Sequence, residues 1–82
     1  SEGPEIEKRQ MHLKKMILNN DSEFIGKTLK ESGIRDRYNC MVVGVEEGQK
    51  NLTMINPLRE FVAGDIIWVV GEEDQLRELL KS

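Results

Sequence analysis

Apolar residues recur with strand spacing at the start of the chain and again in its second half. Over residues 11–18 the alternation places apolar side chains on both sides of a predicted strand. The two sets are Met11, Leu13 and Ile17 on one side and Met16 and Leu18 on the other. His12, Lys14 and Lys15 are expected to be exposed, and the polar run at residues 19–22 predicts a turn.

A short helix is predicted over residues 26–32, with Leu29 directed inward. Gly33 is expected to end it, because glycine readily adopts the left-handed conformation that closes many helices. Three apolar residues are expected to pack at the two ends of this helix: Phe24, Ile25 and Ile34.

Three further strands are predicted after this helix. Residues 40–46 are apolar on both faces of the first of them. Those faces carry Met41, Val43 and Val45 on one side and Cys40 and Val42 on the other. A turn at residues 47–50 leads to a hairpin strand at residues 51–55, which Pro57 ends because proline cannot donate to a ladder. The strongest strand signal is the apolar run at residues 66–70.

The chain closes with a predicted amphipathic helix. Acidic residues at 72–74 open it, where they favour the positive end of the helix dipole. Its core-facing residues are expected to be Leu76, Leu79 and Leu80. The predicted order is β-α-β-β-β-α, which describes a single α+β domain with a four-stranded sheet.

Two of the strands, residues 40–46 and 66–70, are apolar on both faces, which indicates burial on both faces. Two short helices can cover one face of a four-stranded sheet and leave the other open. The simplest cover for the open face is a second copy of the chain, so the pattern predicts a homodimer.

Length and composition indicate one small folded domain at residues 11–82, preceded by a linker or a tail left from expression at residues 1–10. Leu, Ile, Val and Phe account for 23 of 82 residues, above the roughly 20% below which chains tend to be disordered. The formal net charge of −3 argues against nucleic-acid binding. No apolar run exceeds the one at residues 66–70, so no direct membrane insertion is expected.

Candidate catalytic and metal-binding residues are few. Residues 26–28 (GKT) resemble the end of a phosphate-binding loop, but Asp21 stands where that motif requires glycine. His12 is the single histidine and Cys40 the single cysteine, and neither has the partners that a catalytic pair or a metal cluster needs. The sequence therefore predicts no enzyme activity and no metal site, and it requires no cofactor. A lone cysteine also suits a reducing compartment.

A basic set lies on and just after the first predicted helix, next to Tyr38. Its members are Lys27, Lys30, Arg35 and Arg37. Two interpretations are open. The set forms a solvated face whose charge is offset by Glu23, Glu31 and Asp36, or it binds an anion or a nucleotide phosphate, for which arginine offers bidentate contacts.

Several segments, taken in order, resemble the TrkA-C (RCK-C) domain family. They are residues 24–35 (FIGKTLKESGIR), Tyr38, residues 40–45 (CMVVGV), Asn56 with Pro57, and residues 64–71 (GDIIWVVG). The family pattern is a G-K-T-L segment before a helix, a strand–hairpin–strand unit, and a G-D segment before an apolar strand and a closing helix. The resemblance covers about residues 11–81 and implies the same β-α-β-β-β-α order and a dimer.

The resemblance also implies a regulatory role. TrkA-C domains belong to potassium channels, potassium-uptake complexes and cation/proton antiporters, which places the chain on the cytoplasmic side of a membrane within a larger transport protein. In some members a groove at the dimer interface binds cyclic di-AMP, and the residues matching its lining are Arg35, Met41 and Pro57. Ligand-binding members tend to carry a hydrogen-bonding side chain where this sequence has Met41, whose thioether accepts weakly.

The expected function is therefore a ligand-sensing and dimerisation domain of a potassium or cation/proton transport protein. The expected ligand is cyclic di-AMP or another nucleotide, and the expected partners are a second copy of the chain and the remainder of the transporter. The alternative is a purely structural dimerisation domain of such a transporter, with no ligand.

Overall fold

The computed structural model describes residues 10–47 and 51–82. Its strands are β1 (Met11–Ile17), β2 (Met41–Glu46), β3 (Leu52–Thr53) and β4 (Ile66–Glu72). Its helices are α1 (Leu29–Ser32), α2 (Ile34–Tyr38) and α3 (Glu73–Lys81). The predicted α+β class with a four-stranded sheet is confirmed, with one more helix than the sequence predicted. The linker predicted at residues 1–10 and the turn predicted at residues 47–50 lie mostly outside the described residues.

The sheet has the strand order β1-β4-β2-β3, and every neighbouring pair is antiparallel. Strand β4 therefore lies in the interior, paired with β1 along its whole length and with β2 on its other side. Helix α3 packs on β1 and β4, and α2 packs on β2 and on α3. The helices cover one face of the sheet, and the opposite face is called the outer face.

The hydrophobic core lies between the sheet and the helices. Its fully buried members include Leu18, Phe24, Ile34, Phe61, Ile67 and Leu79. Phe24 and Ile34 pack beside the first helix as predicted, with Ile25 and Leu29 partly buried against the same core. On α3 the prediction was right for Leu76 and Leu79 and wrong for Leu80, which is exposed. Leu80 is 45% exposed and lies at the β1 edge of this nine-residue helix, where it borders surface hollows together with residues of β1 and is covered only in part.

A β-bulge in β2 corrects the predicted faces of that strand. Val42 pairs with Val69, but the next regular pair is Gly44 with Trp68, so Val43 is an extra residue in the ladder. An extra residue reverses the alternation beyond it. Val45 is therefore buried on the same face as Val42, whereas it was predicted on the face of Met41 and Val43, both of which are exposed.

The predicted helix at residues 26–32 is shorter than expected and is followed by a second helix. Thr28 caps α1: its hydroxyl accepts from the Glu31 backbone N–H, and the Glu31 carboxylate accepts from the Thr28 N–H at 2.9 Å. This capping box is readable in the sequence as Thr-x-x-Glu. Gly33 ends α1 as predicted, with φ at 72°, and a side chain there would lie 2.8 Å from Arg37. The chain then resumes as α2.

A buried ion pair joins the loop at residues 54–65 to the start of β4. Asp65 is only 1% exposed, and it accepts two hydrogen bonds from the Arg59 guanidinium, each 2.8 Å long. It also accepts from the Val62 backbone N–H at 2.9 Å. Arg59 donates in addition to Glu47 at 2.6 Å, which connects the same loop to the end of β2.

Removing the Asp65 carboxylate should destabilise the fold. Asp65→Ala leaves the partly buried Arg59 with Glu47 as its one carboxylate partner and leaves the Val62 N–H without its acceptor. Breaking a buried pair by removing one partner costs about 3–5 kcal/mol, so the free energy of unfolding should fall by about 3 kcal/mol. Urea unfolding followed by circular dichroism measures the change. Asp21→Ala, at an exposed turn, is the matched control, and equal effects of the two variants would contradict the assignment.

The same pair should make stability depend on pH in the acid range. Burial alone would raise the pKa of Asp65, but the Arg59 hydrogen bonds and the Val62 N–H hold it below the usual aspartate value. A lowered folded-state pKa contributes stability above the unfolded-state pKa of about 3.9, which is lost as pH falls through the folded-state pKa. The stability difference between the natural chain and Asp65→Asn should therefore shrink below about pH 4. Urea midpoints from pH 7 to pH 2 test this, and a constant difference would refute it.

Candidate functional site

A pocket of about 370 Å³ opens where α1, α2, the start of β2 and the loop at residues 54–65 meet. All three residues singled out from the sequence, Arg35, Met41 and Pro57, line it. The other lining residues are Leu29, Lys30, Gly33, Asp36, Cys40 and Val42. The structure thus brings together residues that lie as far as 28 positions apart in the chain, the separation of Leu29 and Pro57.

Local backbone geometry places Arg35 beside Met41. Ile34 is fully buried and anchors α2, so the next residue, Arg35, is exposed at the pocket wall. Asn39 ends α2 in the left-handed conformation, with φ at 54° and its N–H bonded to the Arg35 carbonyl. Asparagine tolerates this conformation better than most residues. The chain therefore turns sharply from α2 into β2, and Met41 begins that strand at the pocket edge.

Pro57 lines the pocket from the loop at residues 54–65, and hydrogen bonds hold this loop in place. The Asn56 side-chain oxygen accepts a hydrogen bond from the Leu58 N–H, and the Asn56 backbone carbonyl accepts one from the Arg59 N–H, each at 2.9 Å. Arg59 is in turn fixed by the buried Asp65. The ion pair that stabilises the fold therefore also positions Pro57.

Arg35 differs from the other arginines of the described residues in having no ion-pair partner there. Arg37 pairs with Glu23, Arg59 with Asp65 and Glu47, and Arg77 with Glu73. These pairs occupy the other guanidinium groups, whereas the Arg35 guanidinium keeps its hydrogen-bond donors available at the pocket. An unpaired arginine in a concave site is suited to a phosphate or carboxylate.

The remaining lining defines what the pocket can hold. Lys30 adds a second positive charge, Asp36 adds one negative charge, and Leu29, Met41 and Pro57 supply apolar surface. A ligand with a phosphate group and a flat apolar part matches this combination, because cations contact the phosphate while the apolar wall packs on a ring. From the sequence, Asp36 was expected only to offset nearby cations, and helix α2 brings it to the pocket.

The other candidate residues lie elsewhere. The basic set does not form one site: Arg37 bonds to Glu23 at 2.6 Å and lies over the Tyr38 ring, and Lys27 does not line the pocket. Cys40 is buried at the pocket floor, and burial raises the pKa of its thiol. His12 is half-buried on β1, where it borders a surface hollow shared with residues of α3, so its predicted full exposure was wrong.

Within residues 10–47 and 51–82, no cluster of three or more histidine, cysteine or acidic side chains is arranged as a metal site. None of the helices in the same part of the chain has the length and apolar character needed to cross a bilayer.

Comparison with known proteins gives a consistent set of matches. The sequence model of the TrkA-C domain matches residues 15–82. Two relatives from Methanocaldococcus jannaschii are potassium channel protein 1, 35% identical over 69 residues, and probable potassium channel protein 2, 32% identical over 71 residues. Each alignment covers 84% of this chain and 20% of the relative, so the chain spans about a fifth of their length.

Solved structures with the same fold include two bound to cyclic diadenosine monophosphate (c-di-AMP). The RCK C domain of the potassium transport protein KtrA has a TM-score of 0.77 at 18% identity, over 88% of this chain and 82% of that one. The RCK_C domain dimer of S. agalactiae BusR has a TM-score of 0.72 at 24% identity, over 84% and 91%. A longer BusR structure in complex with promoter DNA matches over 34% of its length, with a TM-score of 0.72 and 24% identity.

Proposed function

The chain belongs to the TrkA-C domain family, and we propose that it is the ligand-sensing and dimerisation domain of a potassium or cation/proton transport protein, acting on the cytoplasmic side of the membrane. The proposed role is regulatory and not catalytic. The observation that carries it is the pocket in which Arg35, free of any ion pair among the described residues, meets Met41 and Pro57. The potassium channel relatives support the kind of parent protein.

The proposed ligand is a nucleotide that carries phosphate, with c-di-AMP as the first candidate. The named complexes of KtrA and BusR with c-di-AMP support this choice. Arg35 and Lys30 would contact phosphate, and Pro57 would pack against a base. Met41 offers the base an apolar contact in place of a hydrogen bond.

The domain would act by shifting an equilibrium between two arrangements of its dimer. A ligand biases such an equilibrium only as far as it binds one arrangement more tightly than the other. The pocket is lined by α2, the start of β2 and the loop at residues 54–65. A ligand bound there would favour one relative position of these elements over another. The transport domains of the parent protein would then respond to the favoured arrangement.

The proposed dimer is supported by the apolar outer face of the sheet and by the BusR RCK_C dimer. At micromolar concentration the 82-residue chain should elute with close to twice its mass of 9.4 kDa. Size-exclusion chromatography with light scattering measures the mass, and it should not change on dilution to a few micromolar. A monomer at high concentration would contradict the dimer.

Binding should depend on Arg35. A charge-assisted hydrogen bond is worth roughly ten- to a hundredfold in affinity, so Arg35→Ala should weaken nucleotide binding by that factor in each subunit that contributes its arginine. The dimer should stay folded, because the Arg35 side chain is exposed and holds no ion pair in the described chain. Calorimetric titration with c-di-AMP, and then with adenine nucleotides, measures the effect.

Two controls define the outcome of this titration. Arg77→Ala removes an exposed arginine on α3, away from the pocket, and should leave affinity unchanged. Asp36→Asn removes the one negative charge of the pocket and should preserve or improve affinity. If Arg35→Ala binds like the natural chain, the ligand lies elsewhere. If no nucleotide binds at millimolar concentration, the domain is the structural alternative without a ligand.

A further inference from the structure

The outer face of the sheet is apolar across three strands and is not covered by the described residues. Its exposed large side chains include Met11, Leu13, Ile17, Met41 and Val43, and Leu52 of β3 borders it opposite Glu46. Leu13 is 52% exposed and Met41 58%. Ile66, Trp68 and Val70 of β4 lie between them and are half-buried. A contiguous apolar surface of this kind on a small domain is characteristic of an interaction site.

A polar group of three residues interrupts this apolar surface. The Trp68 indole N–H donates to Glu46 Oε2 at 2.5 Å. The Lys15 ammonium lies 3.7 Å from the same oxygen and 5.2 Å from the centre of the Trp68 ring. Lys15 is on β1, Glu46 on β2 and Trp68 on β4 between them, so the two opposite charges lie on either side of the central strand.

These charges keep unused bonding capacity. Glu46 uses one carboxylate oxygen for Trp68 and Lys15, and its second oxygen has no partner in the described part of the chain. Lys15 has three donor hydrogens and one carboxylate neighbour, at a distance longer than a hydrogen bond, and its side chain is 53% exposed. The face therefore presents unused donor capacity on Lys15 beside unused acceptor capacity on Glu46.

We propose that the outer face is the seam between two copies of this chain, and that Lys15 of each copy pairs across it with Glu46 of the partner subunit. This inference rests on the proposed dimer and names its interface. In this arrangement a two-fold axis lies between the two outer faces and runs parallel to β4. Rotation about this axis exchanges the β1 side of one sheet with the β2 side of the other, so Lys15 of one copy lies over Glu46 of the partner subunit. The two sheets then stack with aligned strands, about 10 Å apart.

A second copy is the occupant because the charge pattern of the face is complementary to itself. A face with one positive and one negative group side by side meets its own copy with both charges matched, whereas a uniformly charged face repels its copy. Polar pairs in an apolar seam also restrict the register in which two copies can pack. The Lys15–Glu46 pair would therefore select one arrangement of the dimer.

Charge reversal in two separate chains tests the seam. Lys15→Glu and Glu46→Lys should each weaken dimerisation by at least about a hundredfold, because like charges then meet across the seam. Mixed in equal amounts, the two variants should form a heterodimer within about tenfold of the natural affinity, because both pairs are restored between chains. In each variant chain the side chains at positions 15 and 46 carry the same sign of charge. Recovery of dimerisation in the mixture therefore cannot come from contacts inside one chain. Light scattering and the emission of Trp68, the single tryptophan, report association.

Lys14→Glu makes the same charge change one residue away on the helix-covered face, and Glu78→Lys makes the opposite change on exposed α3; both should remain dimers. Leu13→Glu tests the seam without touching the pair and should give a monomer.

If Lys15→Glu and Leu13→Glu stay dimeric, the seam is wrong and the dimer proposal stands. If the two reversed variants are monomeric and their mixture is too, the pairing is wrong. A natural chain that is monomeric overturns both the seam and the dimer, while nucleotide binding is judged separately by calorimetry.

Discussion

Strand β4 lies in the interior of the sheet and is apolar on both faces, and the rest of the structure depends on how those two faces are buried. Ile67 and Val69 face the helices and form the centre of the core. Trp68 and its half-buried neighbours face the other way. The three short helices in the described chain can cover one face of the four-stranded sheet. They are too small to cover both faces, so the other face stays open. The uncovered face is therefore where the domain is expected to meet another molecule.

The buried ion pair between Arg59 and Asp65 connects the stability of the fold to the geometry of the candidate site. Its energetic role is to hold an irregular loop against the start of β4, and the same loop carries Pro57 two residues before Arg59. Met41 makes a second connection, since it lines the pocket and also lies on the outer face. A change at the seam would thus reach the pocket through a residue that the two surfaces share.

The candidate site could be predicted only in part from the sequence. Arg35, Met41 and Pro57 were expected near one another because of the family resemblance, and no periodicity in the chain relates them. The sequence left open whether the basic set is a solvated face or an anion site, and in the structure Arg37 bonds to Glu23, which lies 14 residues earlier. Such pairing depends on where a loop folds back. The order of charges along the chain therefore could not show that Arg37 has an ion-pair partner whereas Arg35 has none among the described residues.

By itself the sequence determined which segments are strands, where the last helix starts, and that two strands have no polar face. These properties depend on composition and spacing within a few residues, which act before distant parts of the chain meet. Tertiary structure alone decided the facing of Val45, the exposure of Leu80 and the partner of each arginine. A prediction from alternating residues assumes a regular strand ladder. In β2 the extra residue Val43 reverses which side chains face the core, and this depends on the register in which β2 pairs with β4.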